Sequence, residues 1–108
     1  MMRELIYRPE ALAGLDEAES YTKQTWGGAQ AKHYVATLVA DIKALRVSAL
    51  RYPLYDDVFP GLRRKRSGMH HIYYLATDAF VEVLNVIHVS RDPGLHLKAE
   101  TWQQEEGE

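Results

Sequence analysis

Two long stretches of helical periodicity, separated by a pair of glycines, constrain this chain more than any other feature. Ala11, Leu15, Ala18, Thr22 and Trp26 recur three or four residues apart, and Leu12 and Tyr21 widen the same face. Asp16, Glu17, Glu19 and Lys23 lie mostly on the opposite side. Pro9 suits a helix start, where its missing N–H is no loss, and Glu10 then sits in the first turn, where the helix dipole favours negative charge. The spacing predicts a helix from Pro9 to Trp26, ended by Gly27-Gly28, because glycine adopts a C-cap conformation without a Cβ clash. Ala31, Tyr34, Val35, Leu38, Ile42, Leu45 and Ala49 then repeat at the same period and predict a second helix over 29–49, which Pro53 cannot continue. Alanines at 31, 36, 40, 44 and 49 are expected to allow close backbone approach. With so short a link the two helices fold back on each other as a hairpin.

The rest of the chain reads as strands. A short strand is expected at 4–8, bounded by Pro9. Residues 50–61 form a connection whose Tyr52, Tyr55 and Phe59 are expected to pin it over the edge of the core, and Pro60-Gly61 is a turn. Residues 62–67 carry four consecutive cations, Arg63, Arg64, Lys65 and Arg66, which suits an edge strand. Gly68 marks a hairpin into a strand at 70–75, with His71, Tyr73 and Leu75 on one face and His70, Ile72 and Tyr74 on the other. The last strand, 80–88, alternates strictly: Phe80, Glu82, Leu84, Val86 and His88 against Val81, Val83, Asn85, Ile87 and Val89. Both faces are largely apolar, as in a central strand. Arg91-Asp92-Pro93-Gly94 closes the sheet, and 95–103 is a short helix or an irregular turn. The expected class is α+β, in the order β-α-α-β-β-β, with the helical hairpin packed against a small, mainly antiparallel sheet. The domain is expected to span 1–94, with 95–108 a partly ordered extension ending in acidic residues.

Composition excludes several functions. The chain has 108 residues, which fits a single domain with a real core, and 46% of them are hydrophobic. With no cysteine there are no disulfides, thiolate chemistry or cysteine-containing metal sites. The N-terminus lacks an apolar signal-peptide core, and the run 80–89 is too short and too polar to span a bilayer, so no membrane contact and a cytoplasmic location are expected. The formal net charge is only −2, but it is unevenly spread: the basic run 63–66 opposes an acidic tail of Glu100, Glu105, Glu106 and Glu108.

Few constellations carry chemistry. His70 and His71 point to opposite sheet faces, and no metal-ligand spacing such as HExxH exists, so no metal or other cofactor is expected. No serine lies in a GxSxG elbow, Gly27-Gly28 follows no strand and so forms no phosphate loop, and Asp56-Asp57 has no acid–base partner nearby. The basic strand suits a phosphate backbone, a carboxylate-rich protein segment or plain solvation. His71, Tyr73, His88 and Arg91 would make a metal-free ribonuclease set only if they converged, since such chemistry needs a base, an acid and a cation at one point.

Leu15, Ala18, Tyr21, Trp26-Gly27, Gln30-Ala31, Tyr34 and Leu38 resemble the helical hairpin of ParE toxins, in the wider RelE/ParE superfamily. Gly61-Leu62-Arg63, Gly68, His71-Ile72-Tyr73-Tyr74, Val86-Ile87-His88 and Arg91-Asp92 follow in the order of that family, so the resemblance covers roughly residues 3 to 93. It implies the toxin of a type II toxin–antitoxin pair that inhibits DNA gyrase and is not an enzyme, with no catalytic residues. It implies neutralisation by a ParD-like antitoxin, whose ribbon-helix-helix domain makes the only DNA contact and whose acidic C-terminal segment wraps the toxin. Leu12, Tyr21, Tyr34, Leu38, Tyr55, Phe59, Arg63 and Lys65 are the residues expected to meet the antitoxin, and Arg63, Arg64, Lys65, Arg66, His88 and Arg91 those expected to meet the target. The alternatives are a ribosome-dependent mRNA endoribonuclease of the RelE branch, or an inactive module that only binds antitoxin. RelE-branch enzymes tend to place a Tyr or His-Tyr near the C-terminus; here nothing after His96 supplies an imidazole or a phenol.

Overall fold

Pro9 occupies the first turn of α1 (Pro9–Trp26), and Gly27 ends it at φ 96°, donating its N–H to the Lys23 carbonyl. That positive φ is where a side chain would be strained. α2 (Gly28–Ser48) starts at once and runs back along α1, followed by a single 3₁₀ turn (Ala49–Arg51). The molecule is described by a computed structural model over residues 2–58 and 60–97. Its strands are β1 (Glu4–Tyr7), β2 (Arg63–Ser67), β3 (His70–Ala76) and β4 (Phe80–His88), with a one-turn α3 (Pro93–His96) after them. The sheet order is β1-β4-β3-β2: β1 lies parallel to β4, the other pairs are antiparallel, and the basic strand forms an edge.

The helices cover one sheet face. Ala11, Leu15 and Ala18 of α1 and Leu38, Ile42 and Leu45 of α2 pack on Ile72, Tyr74, Val81, Val83 and Val86. Close approach of α1 to β4 depends on Gly14: a Cβ there would run into the Val86 carbonyl and come within 2.9 Å of Asn85 Oδ1. The other sheet face carries a smaller cluster, Leu62, Tyr73, Leu84, Ile87 and Leu97, with Tyr55 and Val58 packed against it. The aromatic connection therefore spans both layers, since Tyr52 packs with the helix-side core.

Three expectations need correction. Strict alternation fails in β4: Tyr73 pairs with Asn85 and Tyr74 with Val83, which leaves Leu84 as an extra residue. This bulge reverses the strand's parity. Val86 therefore joins Val81 and Val83 on the helix side, while Leu84 and Ile87 face away together. On α1, Leu12, Tyr21 and Trp26 do not extend the buried face but are 51, 55 and 71% exposed. Ala11, Gly14, Leu15, Ala18 and Thr22 form the buried stripe instead, because small residues let the helix sit close to the sheet. Ala36, Ala40 and Ala44 likewise face outward; only Ala31 and Ala49 of that series are buried. Within the stretch expected to be a helix or an irregular turn, Leu95 and His96 complete α3 and the buried Leu97 follows it; residues 98–103, like Phe59 and the acidic tail, lie outside the described residues.

Candidate functional site

The end of the helical hairpin and the tip of the β2–β3 turn form the most distinctive surface. Gly68, at φ 59°, turns the chain so that Met69 N–H donates to Tyr34 Oη at 2.9 Å. The same hydroxyl meets His70 Nδ1 at 2.6 Å. When Tyr34 donates its proton to the imidazole, His70 carries its own proton on Nε2. Burial, followed by the nearby charges of His88 and Arg91, lowers the His70 pKa to about 4, so this ring is neutral at pH 7. Burial also raises the Tyr34 pKa, against the opposing pull of the Met69 N–H and Arg66.

His88 faces His70 across the ladder, with ring centroids 5.2 Å apart, and Tyr21 packs edge-on to His88 at 5.7 Å. The Leu84 bulge is what turns His88 to the helix side. Ser90 N–H donates to His88 Nδ1 at 3.1 Å, so this nitrogen is unprotonated and the proton resides on Nε2. Ser90 Oγ lies 2.8 Å from the same atom. Arg91 pairs with Glu17 of α1 at 3.6 Å. A cavity of about 180 Å³ lies among these groups. Beside it, Tyr21, Trp26, Gln30, Tyr34 and Met69 line a mainly apolar groove of about 270 Å³.

The basic strand is not a free stripe. Arg63 donates to the Tyr52 carbonyl at 2.6 Å, and Lys65 lies 4.0 Å from Asp41 and 4.9 Å from the Tyr52 ring centroid. On the other face Arg64 stacks 4.0 Å over Tyr55, which in turn meets Tyr73 edge-on. Arg66 alone of the four is exposed; its Nε donates to the Gly68 carbonyl. The strand's cations thus hold the aromatic connection in place as well as charging the edge.

Among the residues expected to contact partners, Tyr21, Tyr34, His88 and Arg91 converge at the hairpin end. Arg63, Arg64, Lys65 and Tyr55 gather at the sheet edge, and Leu12 is exposed on α1. Leu38 is 1% exposed, a core residue with no surface to offer, because its side of α2 faces the sheet. Phe59 lies outside the described residues. The ribonuclease set does not assemble: His71 and Tyr73 pack together on the face away from the helices, while His88 and Arg91 lie with α1. Burial lowers the His71 pKa, as do Arg64 and Arg66. No group of three or more His, Asp or Glu among the described residues is arranged to hold a metal ion. Trp26, Met69, Glu17 and Asn85 also belong to this surface. Of these, only the extreme position of Trp26, beside the glycine link, hinted at such a place.

Residues 5–93 match the family model of the ParE toxin of the type II toxin–antitoxin system parDE. The chain is 32% identical over 87 residues to Toxin ParE1 of Caulobacter vibrioides, covering 81% of this chain and 90% of that protein. It is also 32% identical over 74 residues to Toxin ParE of Escherichia coli, covering 68% of this chain and 72% of that one. Among solved structures, a chain of the chromosomal ParDE system of P. aeruginosa superposes with a TM-score of 0.70 at 19% identity, over 81% of this chain and 96% of that one. A chain of the E. coli DinJ-YafQ toxin–antitoxin complex does so at 0.57 and 10% identity, over 83% and 96%. Both structural likenesses concern the fold. The family match, the sequence relatives and the shared β-α-α-β-β-β architecture together make this chain a member of the ParE toxin family of type II toxin–antitoxin systems.

Proposed function

We propose that the chain inhibits DNA gyrase in the cytoplasm and is held inactive by a ParD-like antitoxin, which makes the complex's only DNA contact. The observation that carries this reading is the family match over residues 5–93, joined to a surface suited to binding on which His71, Tyr73, His88 and Arg91 do not converge. The relatives named ParE support the gyrase target, and the structural neighbours, taken from toxin–antitoxin systems, support an antitoxin partner. The family match ends at residue 93, which supports reading 1–94 as the toxin domain and the remainder as its extension.

On this reading the antitoxin covers Leu12, Tyr21 and Tyr34 at the hairpin, and its acidic segment runs along the edge strand, meeting Arg63 and Lys65 on one face and Tyr55 on the other. Apolar contacts supply most of the affinity and the cations steer the approach. His88, Arg91 and the cations Arg63, Arg64, Lys65 and Arg66 serve the target. Purified, folded protein added to a gyrase supercoiling reaction is expected to inhibit it, and prior addition of antitoxin to restore activity. Full supercoiling at high molar excess of toxin rejects the proposal. Codon-phased cuts in translated mRNA would transfer the chain to the RelE branch.

A further inference from the structure

The cavity between α1 and the end of β4 is lined by more hydrogen-bond donors than its own partners use. His88 accepts at Nδ1 from the Ser90 backbone, and His70 Nδ1 is paired with the Tyr34 hydroxyl. The remaining polar atom of each ring is Nε2, a donor in His88 and, in the tautomer that accepts from Tyr34, in His70; neither Nε2 has a hydrogen-bond partner among the described residues. His70 is 5% exposed and lines the cavity. Arg91 adds a guanidinium with five N–H donors, and its side-chain partner among the described residues, Glu17, lies at 3.6 Å.

We propose that this cavity binds a single carboxylate group carried by an acidic side chain of a partner protein, received by His70 Nε2–H, His88 Nε2–H and the Arg91 guanidinium. The charge balance selects the ligand. Arg91 and Glu17 cancel formally, and the other polar groups offered are donors, so a monoanion finds donors here whereas a dianion sets a second charge against Glu17. A planar carboxylate also matches the fork of a guanidinium. Its volume, about 180 Å³, suits a side chain rather than a nucleotide backbone. Tyr21 and His70 line both this cavity and the apolar groove of Trp26, Tyr34 and Met69. An acidic residue in the cavity therefore lays its apolar neighbours along that groove. Assigning the segment to the antitoxin rests on the function proposed above, through Tyr21 and Tyr34 of that groove, and gives His88 and Arg91 a second role beside the target; the carboxylate chemistry rests on neither assignment.

The test uses the full chain, ¹⁵N-labelled, at pH 7 and constant ionic strength, with neither antitoxin nor gyrase present. The probe is N-acetylglutamic acid α-amide, with the glutamine analogue as a neutral isostere and inorganic phosphate as a competing anion. The acid is expected to shift the His70 and His88 imidazole signals and Arg91 Nε–H saturably, and the neutral analogue to leave them in place. Two exposed substitutions push in opposite directions. Arg91→Gln is expected to weaken the acid at least about fivefold, and Glu17→Gln, which removes the competing carboxylate, to tighten it. The proposal is overturned by absent saturable shifts, by an equal response to the glutamine analogue, by tighter binding of phosphate, or by equal affinity in both variants. A positive titration together with unaffected gyrase would keep this site and reject the proposed target.

Discussion

Tyr74 and Tyr34 each bridge α2 to the β2–β3 hairpin, at opposite ends of the helix. Tyr74 is fully buried; its hydroxyl donates to the Ala49 carbonyl at 2.6 Å, and burial pushes its pKa to about 12. Leu38, Ile42, Leu45 and Val83 belong to the same closed cluster. Tyr34 is half-buried and ties α2 to a hairpin tip, with exposed Tyr21, Trp26 and Met69 beside it. One end of the helix is closed by apolar packing around one satisfied polar group. The other is closed by a polar relay that leaves apolar surface uncovered. Only the second arrangement keeps both the aromatic area and the directional donors that partner recognition requires.

Substitutions at the two ends should therefore separate stability from binding. The largest effect is expected for Leu38→Ala, about 2–5 kcal/mol in urea unfolding, from lost burial plus a cavity. Next comes acid. The His70 pKa is depressed to about 4 from an ordinary 6.5, so the unfolded chain takes up a proton first as the pH falls. The stability conferred by the neutral ring is complete above pH 6.5 and disappears as the pH drops to 4, by at most about 3 kcal/mol. A His70 imidazole still neutral at pH 5 in ¹⁵N spectra supports this, and one titrating near 6.5 removes it.

Tyr74→Phe is expected to destabilise by about 1–3 kcal/mol, because it strands a buried carbonyl. Tyr34→Phe should cost less, about 0.5–1.5 kcal/mol, since water in the adjoining groove can replace the lost bonds. The reverse order would break the comparison between the two ends. Trp26→Ala, at a site 71% exposed, should change stability by no more than about 0.5 kcal/mol while weakening antitoxin binding measured by calorimetry.

The hairpin, the edge position of β2 and the central position of β4 were legible in the chain because each leaves a periodic or compositional trace. Gly27 and Gly68 fall where the backbone needs positive φ, and sequence alone marks both as breaks. The site was less legible, for a local reason. A bulge adds one residue without changing composition, and that residue, Leu84, decides whether His88 meets His70 or turns to the opposite face. Trp26 and Leu38 show the second difficulty. Both fit the apolar period of their helices, but only tertiary packing reveals that the sheet covers Leu38 and stops short of Trp26. The four consecutive cations looked like a solvated edge; Tyr52 and Tyr55, distant by one turn, convert three of them into braces.

Amide hydrogen exchange on the chain with and without its antitoxin tests most directly whether the open end of the hairpin is the partner surface. Added protection is expected to concentrate in the Tyr21–Tyr34 link and around Met69, with the amides beside Tyr74 and Ala49 unchanged. Protection centred on the face bearing Tyr73 and Leu84, with the hairpin link exchanging as in the free chain, would contradict it.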